Sequence, residues 1–285
     1  MKISVGCAQI SPEKGKIETN IDRIAELIQQ SYEEKMDLLL FPEACVTGYY
    51  LEGGVIEKAL TTEELSEKLE KRLSFGPQKK IDFVLGFYRK EDGILYNSAA
   101  YYEFGPEGLQ LIHVYSKFFL PTYGIFDEKR YVARGNDLGV FDTRFGRIAI
   151  LICEDVWHSI FPALCALKGA TLFLIPSASP ARGFSSERPS NLEKYERLLQ
   201  SVSEEHGVHC VNAMLCGFEG GKGMVGGSMV IDPFGNIVVK GPVQEEYLLK
   251  ADIDQDQLVF ARAQSPLLSD LKSVWSDIEK IINRL

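Results

Sequence analysis

This chain of 285 residues carries 40 acidic against 31 basic residues, a formal charge of −9. That balance argues against nucleic acid or an anionic membrane as a partner. Its 45% hydrophobic and 25% charged residues are those of an ordinary globular protein. The first apolar segment is too short and too polar behind for a signal peptide, and no apolar run reaches membrane-spanning length. A cytoplasmic protein with reduced thiols is therefore expected.

The first strand is predicted over Lys2 to Ile10, followed by a helix from Ile21 to Glu33 with Ile21, Ile24, Leu27 and Ile28 at helical spacing and Thr19 or Asn20 as its cap. A buried strand, Asp37 to Phe41, stops at Pro42. A charged amphipathic helix spans Thr61 to Leu73. Three strands follow, Ile81 to Arg89, Leu95 to Phe104 and Leu109 to Tyr115, with turns at Gly93 and Gly105-Pro106. The second half repeats this logic. A strand ending at Cys153 leads into a helix through Phe161 to Lys168, then a strand from Ala170 to Ile175 and a polar loop from Ser177 to Pro189. A helix (Leu192 to Glu205), a strand (Val208 to Met214) and a glycine-rich loop (Gly217 to Gly227) come next. Strands Ser228 to Asp232 and Ile237 to Lys240 flank a Pro-Phe-Gly-Asn turn. DLLLFPEA and ATLFLIPSA each follow a helix and are each stopped by Pro, a hint of internal symmetry. No linker divides the chain, so a single domain over 1–285 is expected, with a helical tail from about 266. The tail sets Leu271, Val274, Trp275, Ile278, Ile281, Ile282 and Leu285 on one face, which is expected to pack on the body, with a subunit interface as the second reading.

Three segments carry chemistry. In RIAILICEDVW, Cys153 ends an apolar strand, where backbone N–H groups can stabilise negative charge. In DLLLFPEACVTGYY, Glu43 stands at a strand's C-terminal end. In HVYSKFFLPTYGIFDEKRYVARG, Lys117 opens a loop dense in aromatics. Six scattered cysteines form no C-x-x-C pair, and His206 and His209 at a helix-to-strand turn suit structure better than metal binding. Neither metal nor cofactor is expected.

Taken in chain order, Glu43, Lys117 and Cys153 with these flanks resemble the nitrilase, or carbon–nitrogen hydrolase, superfamily. Ala8-Gln9, FPEACVTGY, SKFFLPTYGIFDEKRY, LICEDVW, IPSASP, CVNAM and GGSMVIDPFGN carry the match across nearly the whole chain. The resemblance implies an α/β fold, a four-layer α–β–β–α sandwich, and commonly a homodimer or higher homo-oligomer. It also implies a thioester on Cys153, with Glu43 as base and Lys117 as oxyanion stabiliser. No His has a context that would activate the thiol, so a carboxylate must serve, and Lys117 would offset its repulsion of a second anion. Glu128 matches a second glutamate that many members keep beside the lysine.

The flanks look most like the glutaminase domains of glutamine-dependent NAD synthetases. By that likeness Tyr123, Phe126, Glu154 and Ser179 would line a substrate site, with Glu154 facing an ammonium. Arg182 or Arg188, neither at quite the family's spacing, would face a carboxylate. Tyr49, Tyr123, Trp157 and Phe184 suggest aromatic walls. No phosphate-binding loop is present: Gly217 to Gly227 lacks the following Ser or Thr and leads into a strand. The expectation is a small-molecule amidase. Nitrile or N-carbamoyl hydrolysis on the same residues, or ammonia supply to a separate synthetase, are the alternatives. A catalytically silent binding protein is the rival from outside enzymology.

Overall fold

A computed structural model describes residues 1–183 and 189–284 and gathers the apolar runs into two six-stranded sheets. The first half contributes β1 (Lys2–Gln9), α1 (Ile17–Glu33), β2 (Leu38–Leu40), α2 (Val55–Lys58), α3 (Thr62–Glu70), β3 (Ile81–Glu91), β4 (Ile94–Gly105) and β5 (Gly108–Ser116). The second contributes β6 (Val140–Thr143), β7 (Gly146–Ile150), α4 (Ile160–Leu167), β8 (Leu172–Ser177), α5 (Ser190–His206), β9 (His209–Met214), the small hairpin β10 (Phe218–Glu219) and β11 (Lys222–Gly223), β12 (Met229–Ile231) and β13 (Ile237–Lys240). Then come β14 (Tyr247–Asp254), α6 (Gln257–Gln264), α7 (Leu267–Ser273) and α8 (Trp275–Ile282).

The sheet orders are β14-β1-β2-β3-β4-β5 and β13-β12-β9-β8-β7-β6. Each has a parallel centre, β1-β2-β3 and β7-β8-β9, with antiparallel strands outside it. Strand alternation builds the layers. Leu38 and Leu40 join the core between the sheets, whereas Leu39 and Phe41 point outward against α1 and α3. All four are fully buried, each worth roughly 1.5–3 kcal/mol. With α4 and α5 covering the second sheet, the result is the expected α–β–β–α sandwich.

Four expectations are corrected. The first helix starts at Ile17, and Asn20 does not cap it: its amide donates to Glu13 O and Val46 O, tying the preceding loop to the turn after Glu43. The strand expected to end at Cys153 ends at Ile150, and Cys153–Trp157 form a 3₁₀ turn before α4 begins. Strands β6 and β14 lay outside the reading. Leu249, Ala251 and Ile253 do alternate inward in β14, but the charges between them hid a strand whose antiparallel partner is β1, far away in sequence. Finally, the tail breaks at Val274 into α7 and α8. The break splits its apolar stripe, so Val274, Ile281 and Ile282 stay exposed and do not pack on the body; Leu285 lies outside the described residues. No helix among the described residues is long and apolar enough to cross a membrane.

Candidate active site

Three strand ends meet at one point. After β2 the chain turns through Pro42 and Glu43 with Ala44 at φ +52°, and that turn lies flat on β3. Gly86 permits the approach. A Cβ there would stand 2.4 Å from Ala44 N and 2.7 Å from the Glu43 Cα, which no side chain tolerates. Glu43 is fully buried and triply bonded. Its Oε1 accepts from Asn97 Nδ2 and Lys117 Nζ, each at 2.7 Å, and its Oε2 accepts from the Ala178 N–H at 2.8 Å. Ala178 follows β8, which runs on through Pro176 to Ser177 and not only to Ile175, so the segments after β2 and β8 meet.

Lys117 follows β5, its N–H bonded to Asn97 O and its carbonyl accepting from Gly135 N–H. Its fully buried Nζ also donates to Glu128 Oε1 at 2.7 Å. Burial opposes the ammonium, but Glu128 and Glu43 together outweigh it and hold the lysine well above its usual range. Glu128 is buried beside Lys117, the place its match to the family's second glutamate implied, and Tyr49 donates its hydroxyl to the same Oε1. Burial raises this carboxyl to about 7, against the pull of Lys117.

Cys153 opens the 3₁₀ turn three residues beyond β7 with φ +48°, a left-handed conformation that costs a non-glycine residue on the order of 1–3 kcal/mol. Asp155 helps hold this turn. Its Oδ1 accepts from the N–H groups of Phe118 and Phe119, and its Oδ2 from Ile152 N–H and the Tyr115 hydroxyl. One buried carboxylate thus fastens the strand behind Cys153 to the segment behind Lys117. The thiol Sγ lies 3.1 Å from the Tyr195 hydroxyl and 3.8 Å from Ala178 O. Burial, then the Glu43 charge, push the thiol well up, with Lys117 opposing. At neutral pH it rests as the neutral thiol.

Above Cys153 opens a cavity of about 350 Å³, lined by Tyr123, Phe126, Glu154, Trp157, Ser179 and Arg182 among others. Six of the seven residues read from the sequence as substrate-binding are brought together here. Tyr123 donates its hydroxyl to Glu154 at 2.9 Å, and the Arg182 guanidinium lies 4.9 Å from the Phe126 ring centre. Among the described residues the Arg182 Nε has no hydrogen-bond partner. Tyr49 is the correction: it stands behind Glu128 and does not line this cavity, because Glu219 of the β10–β11 hairpin accepts from the backbone N–H groups of Tyr49 and Tyr50 and fixes their turn there. The glycine-rich loop is thereby a site-flanking hairpin. Phe184 and Arg188 lie outside the described residues.

Asn97, Tyr195, Asn191 and Lys194 were not singled out from the sequence. Asn97 sits beside Ser98 in β4 and left no distinct signal; Tyr195 looked like any core aromatic of a helix. Asn191 donates to Ser179 Oγ and accepts from Arg182 N–H, positioning both. Among the described residues no cluster of three or more His, Cys, Asp or Glu side chains could hold a metal.

The residue pattern of the carbon-nitrogen hydrolase family matches residues 4–263. The chain belongs to that family. Among curated relatives, a glutamine-dependent NAD(+) synthetase of Thermotoga maritima is 29% identical over 259 residues, which cover 90% of this chain and 43% of the relative. The chain therefore spans less than half the length of that relative. Among solved structures, the glutamine-dependent NAD+ synthetase of Acinetobacter baumannii superposes with a TM-score of 0.77 at 28% identity, covering 90% of this chain and 47% of the other. An amidase from Nesterenkonia sp. gives a TM-score of 0.71 at 25% identity, covering 92% and 94%. The carbon-nitrogen hydrolase fold and the glutaminase-like flanks read from the sequence are thus both matched.

Proposed function

We propose that this carbon-nitrogen hydrolase cleaves a small-molecule amide to its acid and ammonia through a thioester on Cys153. The observation that carries the reading is the buried Lys117 ammonium, bonded at 2.7 Å to both Glu43 and Glu128 beneath the one thiol that faces the cavity. Because the thiol is neutral at rest, attack requires a base. Glu43 takes the Sγ proton as sulfur bonds to the amide carbon, and the carbonyl π pair moves to oxygen. The Lys117 ammonium and the backbone N–H of Glu154 stabilise that oxyanion. Collapse expels the nitrogen, which takes its proton from Glu43, so ammonia leaves and the thioester remains. Glu43 next removes a proton from water as its oxygen attacks the thioester, and the returning sulfur is reprotonated as the acid departs. Glu128 orients Lys117 and keeps it charged.

Within the cavity, Glu154 is suited to a substrate ammonium and Arg182 to a carboxylate. A substrate bearing an amino-acid end, glutamine or another ω-amide, is favoured by that pair over a plain aliphatic amide. Nitriles and N-carbamoyl compounds present the same reacting centre. The test is ammonia release by wild type and Cys153→Ala across glutamine, other ω-amides, aliphatic amides, N-carbamoyl amino acids and nitriles, with intact mass measured during turnover. Release that needs Cys153, together with an acyl adduct on the protein, is expected. Equal release by Cys153→Ala would sink the mechanism.

A further inference from the structure

Tyr195 reaches the thiol but takes no part in the proton transfers between Glu43, sulfur and water. It sits on the buried face of α5 with Leu192, Leu199 and Val202, and is only 1% exposed. Phenylalanine would serve packing there as well, yet the chain carries a hydroxyl, 3.1 Å from the Cys153 Sγ. A buried phenol hydroxyl needs a partner, and here that partner is the nucleophile. The Tyr195 ring stands edge-on to Trp157 with centroids 4.9 Å apart, and both side chains line the cavity over Cys153.

The surrounding groups settle which atom donates. The Cys153 S–H has an acceptor of its own in Ala178 O, 3.8 Å away. Ser177 Oγ accepts from Asn212 Nδ2 at 3.0 Å, so its own O–H is available to donate. Trp157 and Ser177 both favour negative charge on the Tyr195 oxygen, as donors do. Burial, then Cys153 beside it, hold the phenol well above its usual range, so it keeps its proton. A protonated phenol against sulfur donates to it, weakly while sulfur is a thiol and about twice as strongly once sulfur is charged. We infer that Tyr195 is a catalytic hydrogen-bond donor to the Cys153 sulfur, stabilising the thiolate as it attacks the amide carbon and again as it leaves the thioester. This role rests on the thioester route proposed above. Tyr195 transfers no proton: Glu43 takes the thiol proton as the C–S bond forms, and when that bond breaks its electron pair returns to sulfur and a proton follows from Glu43. The phenol O–H stays intact while its hydrogen bond strengthens and relaxes, a contribution made mainly in the transition states.

Alkylation by iodoacetamide tests this without an amide substrate, since sulfur displaces iodide and the S–C bond forms as C–I breaks. Intact mass follows the rate from about pH 6 to about pH 10, with Cys153→Ala as the background for the other cysteines, all of them buried. Tyr195→Phe keeps the ring and its packing and removes only the donor. It should slow labelling of Cys153 about tenfold at neutral pH and move the pH–rate curve up by about one unit, the size of one hydrogen bond to a charged group. On whichever amide the wild type hydrolyses, kcat and kcat/KM should fall together by about tenfold with KM little changed. A merely structural role would lower the urea midpoint and leave the alkylation curve in place. Labelling of Tyr195→Phe at the wild-type rate across the pH range would overturn the proposal and leave the amidase reading standing. A wild type labelled no faster than Cys153→Ala would overturn both.

Discussion

Lys117→Met removes the ammonium at the centre of the site while keeping the length of the chain. Glu43 and Glu128, both buried and each 2.7 Å from that nitrogen, would then face one another with no cation between them. At a separation of about 5 Å and an effective dielectric of ~20, two carboxylates repel by roughly 3 kcal/mol. Leaving a buried charge without its partner costs about 3–5 kcal/mol in other proteins, a large part of the ~5–15 kcal/mol that folds a domain. The variant escapes part of this by keeping a proton on one carboxyl, whose folded-state pKa then lies above its unfolded value near ~4.3. An acid so raised loses stability as pH climbs from the unfolded to the folded pKa. The loss relative to wild type should therefore be largest near pH 8 and shrink toward pH 5. Urea midpoints at a series of pH values measure it, and the double variant Lys117→Met/Glu128→Gln should recover most of the loss at pH 8. Hydrolysis should fall by ~10²-fold or more in both. A loss independent of pH, or a double variant no more stable than the single one, would refute the charge argument.

Gly86→Ala drives a methyl into the backbone of the Glu43 turn; a cost of about 1–3 kcal/mol is expected in urea unfolding, with kcat reduced more than the stability loss explains. Asp155→Asn keeps the shape but replaces an acceptor-only group that four donors share, so at least two are left badly paired; about 3–5 kcal/mol should be lost, read from the same curves at constant m. Burial lowers His209 to about 4, while its Nε2 lies 3.2 Å from Asp254 O and links β9 to β14. The unfolded chain takes up this proton first as pH falls, so the site's stability is complete above ~6.5 and declines toward pH 4, by up to about 3 kcal/mol. His209→Asn should flatten that part of the acid-stability profile; an unchanged slope would exclude His209 as its source.

Local sequence marked the residues that carry charge and nucleophilicity. Glu43 and Cys153 stand just beyond apolar runs, legible because burial imposes a pattern on adjacent residues, and Lys117 follows a β-rich stretch. The same reasoning found β2 and β8, although β8 runs on through Pro176 to Ser177 and does not stop before the proline. Tertiary structure alone decided what those residues touch. Glu43 takes its third hydrogen bond from Ala178, 135 positions onward, and Tyr49 turned away from the cavity because the β10–β11 hairpin, 170 positions from it, grips its backbone. Tyr195 meets Cys153 only because α5 packs on β9 and β12, and β14 became a strand only because β1 offered it an edge. Contacts across such separations leave no periodicity in the chain. They follow from two sheets closing face to face, which brings the ends of distant strands to one place.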